Sequence, residues 1–166
     1  FRRATILRED FSDAWIQWAE LLERRGNTGE SELVFYRGLE KCPDSPAFAI
    51  EYAKRLYDQR RFEAAIRSLE HAIKLRPNEA AAYVELSKNH FALDQMEAGA
   101  DALRKALEVE AGNPVAMTSL CFYSIVSGKQ ATAQKWIREI HKHPRIQSDT
   151  VSRLEMEYER KFGTMP

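Results

Sequence analysis

Neither sign of charge predominates in this sequence. Of its 166 residues, 25 are Lys or Arg and 25 are Asp or Glu, so the net charge at neutral pH is zero. Proteins that bind nucleic acid without sequence preference usually carry a basic excess, because phosphate contacts dominate their affinity. Long apolar runs are also missing, and none approaches the roughly 20 residues that a membrane-spanning helix needs. The composition therefore predicts no nucleic-acid partner and no membrane insertion.

Cysteine is scarce. Cys42 and Cys121 lie 79 residues apart, and no Cys-x-x-Cys pair or Cys/His ligand spacing accompanies them. The pattern favours two unpaired thiols in a reducing compartment. A cytoplasmic location is accordingly the expectation, although the sequence leaves the compartment unknown.

Catalytic and cofactor motifs are missing as well. The glycines form no phosphate-cradling loop, and neither G-x-S-x-G nor H-E-x-x-H occurs. His141 and His143 have no adjacent Cys or carboxylate ligand, so a solvated helix end is expected there rather than a metal pair. Nothing marks a base for Cys121, which is expected to be a buried structural thiol. The sequence predicts a protein that is not an enzyme and has no cofactor and no metal.

What the sequence does contain is a pattern that recurs every 34 residues. Each copy has a large residue, an apolar residue three positions later and a small residue directly after that. The pattern opens at Trp15, Ala49, Tyr83 and Met117, and the residue there is large in every copy except the second. The small residues are Ala19, Ala53, Ser87 and Cys121. Apolar residues spaced by three and four lie on one face of a helix. Each copy therefore predicts a pair of amphipathic helices, and the small residues let the two helices approach closely.

The pattern resembles the tetratricopeptide repeat, which reads W-x2-L-G-x2-Y and then A-x3-F, A and P on a 34-residue period. The second halves of the first two copies carry the matching residues Ser31, Phe35, Gly38, Pro43, Ala65, Leu69, Ala72 and Pro77. The resemblance implies an all-α fold, a right-handed solenoid of helix-turn-helix repeats. It implies one domain over 1–166, with four repeats at 12–45, 46–79, 80–113 and 114–147.

The ends of the chain extend this scheme. Residues 1–11 match the second half of a repeat, so a further repeat is expected to precede them. Residues 148–162 are expected to form a C-terminal cap helix with one apolar stripe and one solvated face. That stripe consists of Val151, Leu154, Tyr158 and Phe162.

Local signals mark helix ends within the repeats. Ser45 and Asn113 each precede a proline, which predicts an N-cap followed by proline at the first helical position. Asn78 is expected to cap the third pair. Gly26 and Gly128 are expected in the turns inside the first and fourth pairs.

Proteins that this sequence resembles hold peptides in a concave groove, against residues of the first helices. The resemblance implies the peptide-binding residues Ile16, Glu20, Ile50, Lys54, Tyr57, Val84, Lys88, Phe91, Phe122 and Ile125. An apolar floor with two ammonium groups suits an amphipathic or extended segment that bears acidic residues. The alternative that Ile16, Ile50 and Val84 pack helix against helix stays open.

Relatives that grip the acidic C-terminal tails of heat-shock chaperones use a Lys/Asn/Arg clamp. Where that clamp would place Lys and Asn, this sequence has Ile16 and Glu20, and then Ile50 and Lys54. The departure argues against a chaperone-tail adaptor.

The expected function is a non-enzymatic scaffold that binds a peptide or helix of a partner protein in the groove. Two alternatives remain. The chain is a regulatory or substrate-docking region of a longer enzyme, or it is a self-assembling module. The second alternative predicts a homodimer through an N-terminal edge that exposes Phe1, Ile6 and Leu7.

Overall fold

The computed structural model describes residues 1–164, and these contain ten α-helices and no strand. The helices are α1 (Arg2–Leu7), α2 (Ser12–Arg24), α3 (Thr28–Lys41), α4 (Pro46–Asp58), α5 (Phe62–Leu75), α6 (Ala80–Ala92), α7 (Met96–Val109), α8 (Pro114–Val126), α9 (Gln130–His141) and α10 (Ser148–Phe162). The all-α expectation and the C-terminal helix are therefore confirmed.

The chain forms two compact units, Phe1–Pro77 with α1–α5 and Asn78–Pro166 with α6–α10. Within the first unit α2 packs on α3 and α4 packs on α5. Within the second unit α6 packs on α7, α8 packs on α9, and α10 lies against both α8 and α9. The division into four repeats at the stated boundaries stays a prediction.

Small residues lie where paired helices meet. Ala19 and Ser31 are fully buried, and the Ser31 hydroxyl donates a hydrogen bond of 2.7 Å to the Ala19 carbonyl. In the α8–α9 pair the equivalent residues are Cys121 and Ala133, which are also fully buried. Because neither side chain projects far, the two backbones can approach, as the sequence pattern predicts.

Gly38 marks an even closer approach in the first unit. A Cβ atom built there would lie 2.4 Å from the Phe48 ring and 2.7 Å from the Trp15 Cβ. Phe48 occupies the repeat position that holds alanine in the other three copies, at Ala14, Ala82 and Ala116. The larger ring is accommodated because the residue opposite has no side chain.

The two helices of each pair are joined by one turn, and the four turns share one geometry. Gly26, Arg60, Asp94 and Gly128 lie 34 residues apart, and all have φ between 59° and 79°. In each turn the following N–H donates to a carbonyl five residues earlier, as Asn27 does to Leu22 at 2.9 Å. This is the Schellman helix ending, which places a left-handed residue directly after the helix. Glycine fits it without strain, whereas Arg60 and Asp94 do not.

The helix starts agree in part with the sequence signals. Ser45 accepts a hydrogen bond from the Phe48 N–H, and Asn113 accepts one from the Ala116 N–H, so both predicted caps are confirmed. The prediction for Asn78 is wrong, because α6 begins at Ala80 after Glu79, which makes no side-chain cap bond. The Asn-Glu-Ala sequence there lacks the proline that fixes the helix start in the second and fourth pairs.

Candidate functional site

In the first unit, the two apolar members of the predicted binding set are core residues. Ile16 and Ile50 are 8% and 6% exposed. Ile16 belongs to a hydrophobic cluster with Trp15 and Phe35. These two side chains stabilise helix packing and present little surface to a ligand, which favours the packing alternative.

The charged members in that unit are bonded to neighbours on their own helix. The Lys54 ammonium lies 2.5 Å from Glu51, and the Glu20 carboxylate accepts a hydrogen bond of 3.2 Å from Gln17. Tyr57 packs against Phe62 with ring centroids 5.3 Å apart. The exposed part of this face is therefore mainly polar and already engaged in local contacts.

An ion pair between helices completes the first unit's face. Arg55 of α4 lies 2.5 Å from Glu23 of α2, and its guanidinium stacks 4.3 Å above the Phe35 ring. Arg55 is about three-quarters buried, so its methylene stem and guanidinium plane contribute packing as well as charge.

In the second unit the predicted residues divide into two groups. Val84 and Ile125 are buried, and Lys88 pairs with Glu85 at 2.8 Å. Phe91 and Phe122, by contrast, line one open cleft. The structure thus brings Phe91 and Phe122 into one hollow, whereas Val84 and Lys88 line a second, smaller one of about 470 Å³.

This cleft has a volume of about 620 Å³ and lies among α6, α7, α8 and α10. Its lining consists of Phe91, Met96, Thr118, Ser119, Phe122, Tyr123, Val126, Thr150, Arg153, Leu154, Met156 and Glu157. Phe122, Val126 and Met156 are 50%, 47% and 67% exposed, although they are large and apolar. Exposed apolar side chains that surround a concave surface are typical of a binding site.

Two stacked aromatic rings form part of the lining. Phe91 and Tyr123 have centroids 6.3 Å apart and planes inclined by 23°. Gly99 of α7 makes room for Phe91, because a Cβ atom there would come within 2.5 Å of its ring. Gly99 therefore positions a lining residue from behind, in addition to allowing α6 and α7 to approach.

A polar network holds the Tyr123 hydroxyl. Lys129 donates to that hydroxyl at 3.1 Å and to the Glu97 carboxylate at 3.1 Å. Hydrogen bonds from Tyr123 and then from Lys129 lower the pKa of Glu97. Hydrogen bonds to Tyr123 first and to Glu97 second raise the pKa of Lys129. Both groups are therefore charged at neutral pH and fix the orientation of Tyr123.

Two further cations border the cleft. Arg153 belongs to the lining and is exposed, and Lys161 donates a hydrogen bond to the carbonyl of Val126 at the end of α8. Within residues 1–164, neither cation has a carboxylate within salt-bridge distance. Glu157 is paired with Arg160 at 2.6 Å. Among residues 1–164, the cleft therefore has two cations beside it that lack a carboxylate partner, although the chain has no net charge.

Sequence reasoning missed the α10 side of this site. Residues Thr150, Arg153 and Glu157 have helical spacing and form a second face of α10, beside the predicted apolar stripe. Met156 lies outside that stripe and is the side chain that could have revealed the face. An apolar residue on the solvated side of a helix is an anomaly that the sequence alone displays.

Cys121 and His141, two other reactive side chains, make contacts within the second unit. Cys121 is fully buried, and burial raises the pKa of its thiol to about 12. The His141 ring lies 2.7 Å from Glu155. Residues 1–164 contain no group of three or more His, Cys, Asp or Glu side chains placed to hold a metal ion. In the described part of the chain, residues 1–164, no helix combines the length and the apolar character needed to cross a bilayer.

Comparisons with known proteins agree with this architecture. Two family models described as tetratricopeptide repeat match residues 12–55 and 52–114, which together make up more than half of the chain. No curated protein matches the sequence.

Several solved structures share the fold at low sequence identity. PilW, a type IV pilus biogenesis factor, has a TM-score of 0.82 at 16% identity over 98% of this chain and 75% of its own. YrrB, described as a TPR protein with an unusual peptide-binding site, has a TM-score of 0.71 at 14% identity over 98% and 84%. The first TPR of Spaghetti (RPAP3), solved with an HSP90 peptide, has a TM-score of 0.62 at 20% identity over 70% and 93%. On the matches to the family models and the helix pairs on their 34-residue period, the chain belongs to the tetratricopeptide repeat family.

Proposed function

We propose that this protein is a non-enzymatic interaction module and that it binds a peptide or helix of a partner protein in the cleft of its second unit. The observation that carries the proposal is the group of Phe122, Val126 and Met156, which stay largely exposed around one hollow. Covering such side chains removes apolar area from water, at about 25 cal/mol for each Å².

The solved relatives support the class of function. YrrB is described as having a peptide-binding site, and the Spaghetti repeat is bound to a peptide. At 14% and 20% identity, the likeness to these proteins supports the fold but does not identify a ligand for this chain. Within the proposed site, Phe91 and Phe122 are the predicted residues that would contact the ligand directly. For Glu20, Lys54, Tyr57 and Lys88, ligand contact stays a prediction.

A peptide-display selection tests this function. Random peptides are selected on the intact chain, and the affinity of the recovered peptides is then measured by calorimetry. Phe122→Ala should weaken binding at least tenfold, because an aromatic anchor at the centre of a site contributes 2 kcal/mol or more, about a 30-fold change.

Leu33→Ala is the matched control. Leu33 is 63% exposed on α3, outside the cleft, so its truncation removes a similar amount of apolar surface elsewhere. Equal affinities for wild type, Phe122→Ala and Leu33→Ala would refute the site. A selection that recovers no peptide would refute the function.

Self-association is a second candidate, favoured by the N-terminal helix. Ile6 and Leu7 of α1 are 70% and 82% exposed, and they present an uncovered apolar surface. Sedimentation of the wild type and of an Ile6→Asp, Leu7→Asp double variant decides this candidate. A dimer that the double variant abolishes supports it, and a wild-type monomer at high concentration removes it.

A further inference from the structure

The charge around the cleft narrows the chemistry of its ligand, and this inference rests on the proposed function. The chain has no net charge, yet two carboxylates beside the cleft are already paired. Glu97 binds Lys129, and Glu157 binds Arg160. Arg153 and Lys161 are the cations left over, because no carboxylate lies within salt-bridge distance of either one among residues 1–164.

The two cations stand beside different parts of the apolar lining. Arg153 lies on the same face of α10 as Glu157, one helical turn away. Lys161 donates a hydrogen bond to the carbonyl of Val126, which is itself a lining residue. A ligand seated on Phe122, Val126 and Met156 would therefore meet positive charge along its edge.

We infer that the cleft selects an amphipathic segment of a partner protein, with apolar residues that cover Phe122 and Met156 and at least one carboxylate that pairs with Arg153. Arginine suits this role because its planar guanidinium binds a carboxylate through two parallel hydrogen bonds. The apolar lining supplies most of the affinity, and the charges set which segments are accepted.

The same selection experiment tests this inference when it is run on charge variants. Peptides recovered on the wild type should be richer in Asp and Glu than the starting library. Peptides recovered on Arg153→Glu should lose that excess. When the acidic residues of a wild-type peptide are replaced by their amides, its affinity for the wild type should fall about tenfold, while its affinity for Arg153→Glu should change little.

Arg138→Glu is the matched control for net charge. Arg138 is exposed in the last turn of α9 and does not line the cleft, so its reversal changes the total charge equally. A peptide pool on Arg138→Glu that resembles the wild-type pool is the expected result. If both reversals alter the pool to the same degree, the preference reflects overall charge and the inference is overturned.

The outcomes separate this inference from the proposed function. If Phe122→Ala abolishes binding but the pools show no acidic preference, the site stands and the ligand chemistry proposed here is wrong. If Phe122→Ala has no effect, the site itself is wrong. If the chain forms a dimer that Met156→Asp dissociates, a second copy occupies the cleft and the inference of a partner segment is overturned.

Discussion

In each unit, two residues on adjacent first helices contact one another at equivalent repeat positions, but one pair is charged and the other is aromatic. In the first unit, Glu23 and Arg55 form an ion pair 2.5 Å long. In the second unit, the residues 68 positions further along the sequence are Phe91 and Tyr123, which stack with centroids 6.3 Å apart. Both pairs occupy equivalent positions of the repeat. The charged residues of the first unit neutralise one another, whereas the aromatic residues of the second unit line an open cleft.

A second pair of positions shows the same contrast. Tyr57 in the first unit packs against Phe62, and their rings cover one another. The equivalent residues in the second unit are Phe91 and Met96, and both line the cleft. The same helix framework therefore carries a face whose side chains contact one another in the first unit and a face with an open cleft in the second. Side-chain choice at a few positions, and not the fold, makes the second unit the candidate for binding.

Exchanging the second unit's pair for the first unit's pair should give the largest effect. Phe91→Glu combined with Tyr123→Arg places two charges where Tyr123 is only 6% exposed. We expect a loss of about 2 to 4 kcal/mol in the free energy of unfolding, because the charges are desolvated and lack the Phe35 ring that supports Arg55.

The two cysteines allow each unit to be followed separately in this experiment. Each unit contains one buried thiol, Cys42 in the first and Cys121 in the second. Thiol labelling against urea should expose Cys121 at a lower urea concentration in the double variant, while Cys42 keeps its wild-type profile. An unchanged Cys121 profile would show that the aromatic pair is not required for the stability of the second unit.

The reverse exchange should be far milder. Glu23→Phe combined with Arg55→Tyr replaces a partly buried ion pair by apolar rings, a change that is often neutral. We expect the free energy of unfolding to change by less than about 1.5 kcal/mol, measured by urea denaturation. Arg55→Ala alone should cost more than the double variant, because it leaves Glu23 unpaired and Phe35 uncovered. The opposite order would contradict this account of the pair.

The left-handed turns provide a smaller comparison between the units. Arg60→Gly should raise the free energy of unfolding by about 0.5 to 1 kcal/mol, because a side chain at positive φ costs roughly 1 to 2 kcal/mol, and the entropy of glycine offsets part of that gain. Asp94→Gly should gain less, since aspartate tolerates this region better. Thermal unfolding of both variants measures the difference. Equal losses of stability would show that neither residue is strained.

The smallest expected effect concerns the exposed network at the cleft. Because the folded-state pKa of Glu97 is lowered, its bonds to Tyr123 and Lys129 stabilise the fold above the usual pKa of 4.5. That contribution is lost as the pH falls through the lowered value. In the Glu97→Gln variant, the free energy of unfolding should therefore fall slightly less between pH 5 and pH 3 than it does in the wild type. This range covers the roughly two pH units over which a carboxyl titrates. Identical acid profiles would place Glu97 outside any stabilising network.

The sequence predicts the helix pairs well because their signals are local or periodic. Large residues at helical spacing, small residues such as Ala19 and Ser31, and the caps Ser45 and Asn113 each act within one helix or one pair. The left-handed turns at Arg60 and Asp94 could be predicted only from the 34-residue period, since arginine rarely adopts that conformation and a single aspartate is a weak signal for it.

The candidate site is less accessible to sequence reasoning. Phe91 and Phe122 follow from the repeat, but Met156 and Arg153 belong to α10, which lies outside the period. Their place depends on how α10 packs against α8, and periodicity carries no information about that contact. The burial of Ile16 and Val84 likewise depends on how adjacent helices pack, which a pattern of apolar residues leaves undecided.

One measurement tests the central claim, that the second unit's cleft is the binding surface, without altering the protein. A peptide recovered by selection is titrated into isotopically labelled chain, and the backbone amide shifts are recorded by nuclear magnetic resonance. We predict that the perturbed amides cluster in α8 from Thr118 to Val126 and in α10 from Thr150 to Glu157. Perturbations concentrated instead in α2 and α4, around Glu23 and Arg55, would contradict the account.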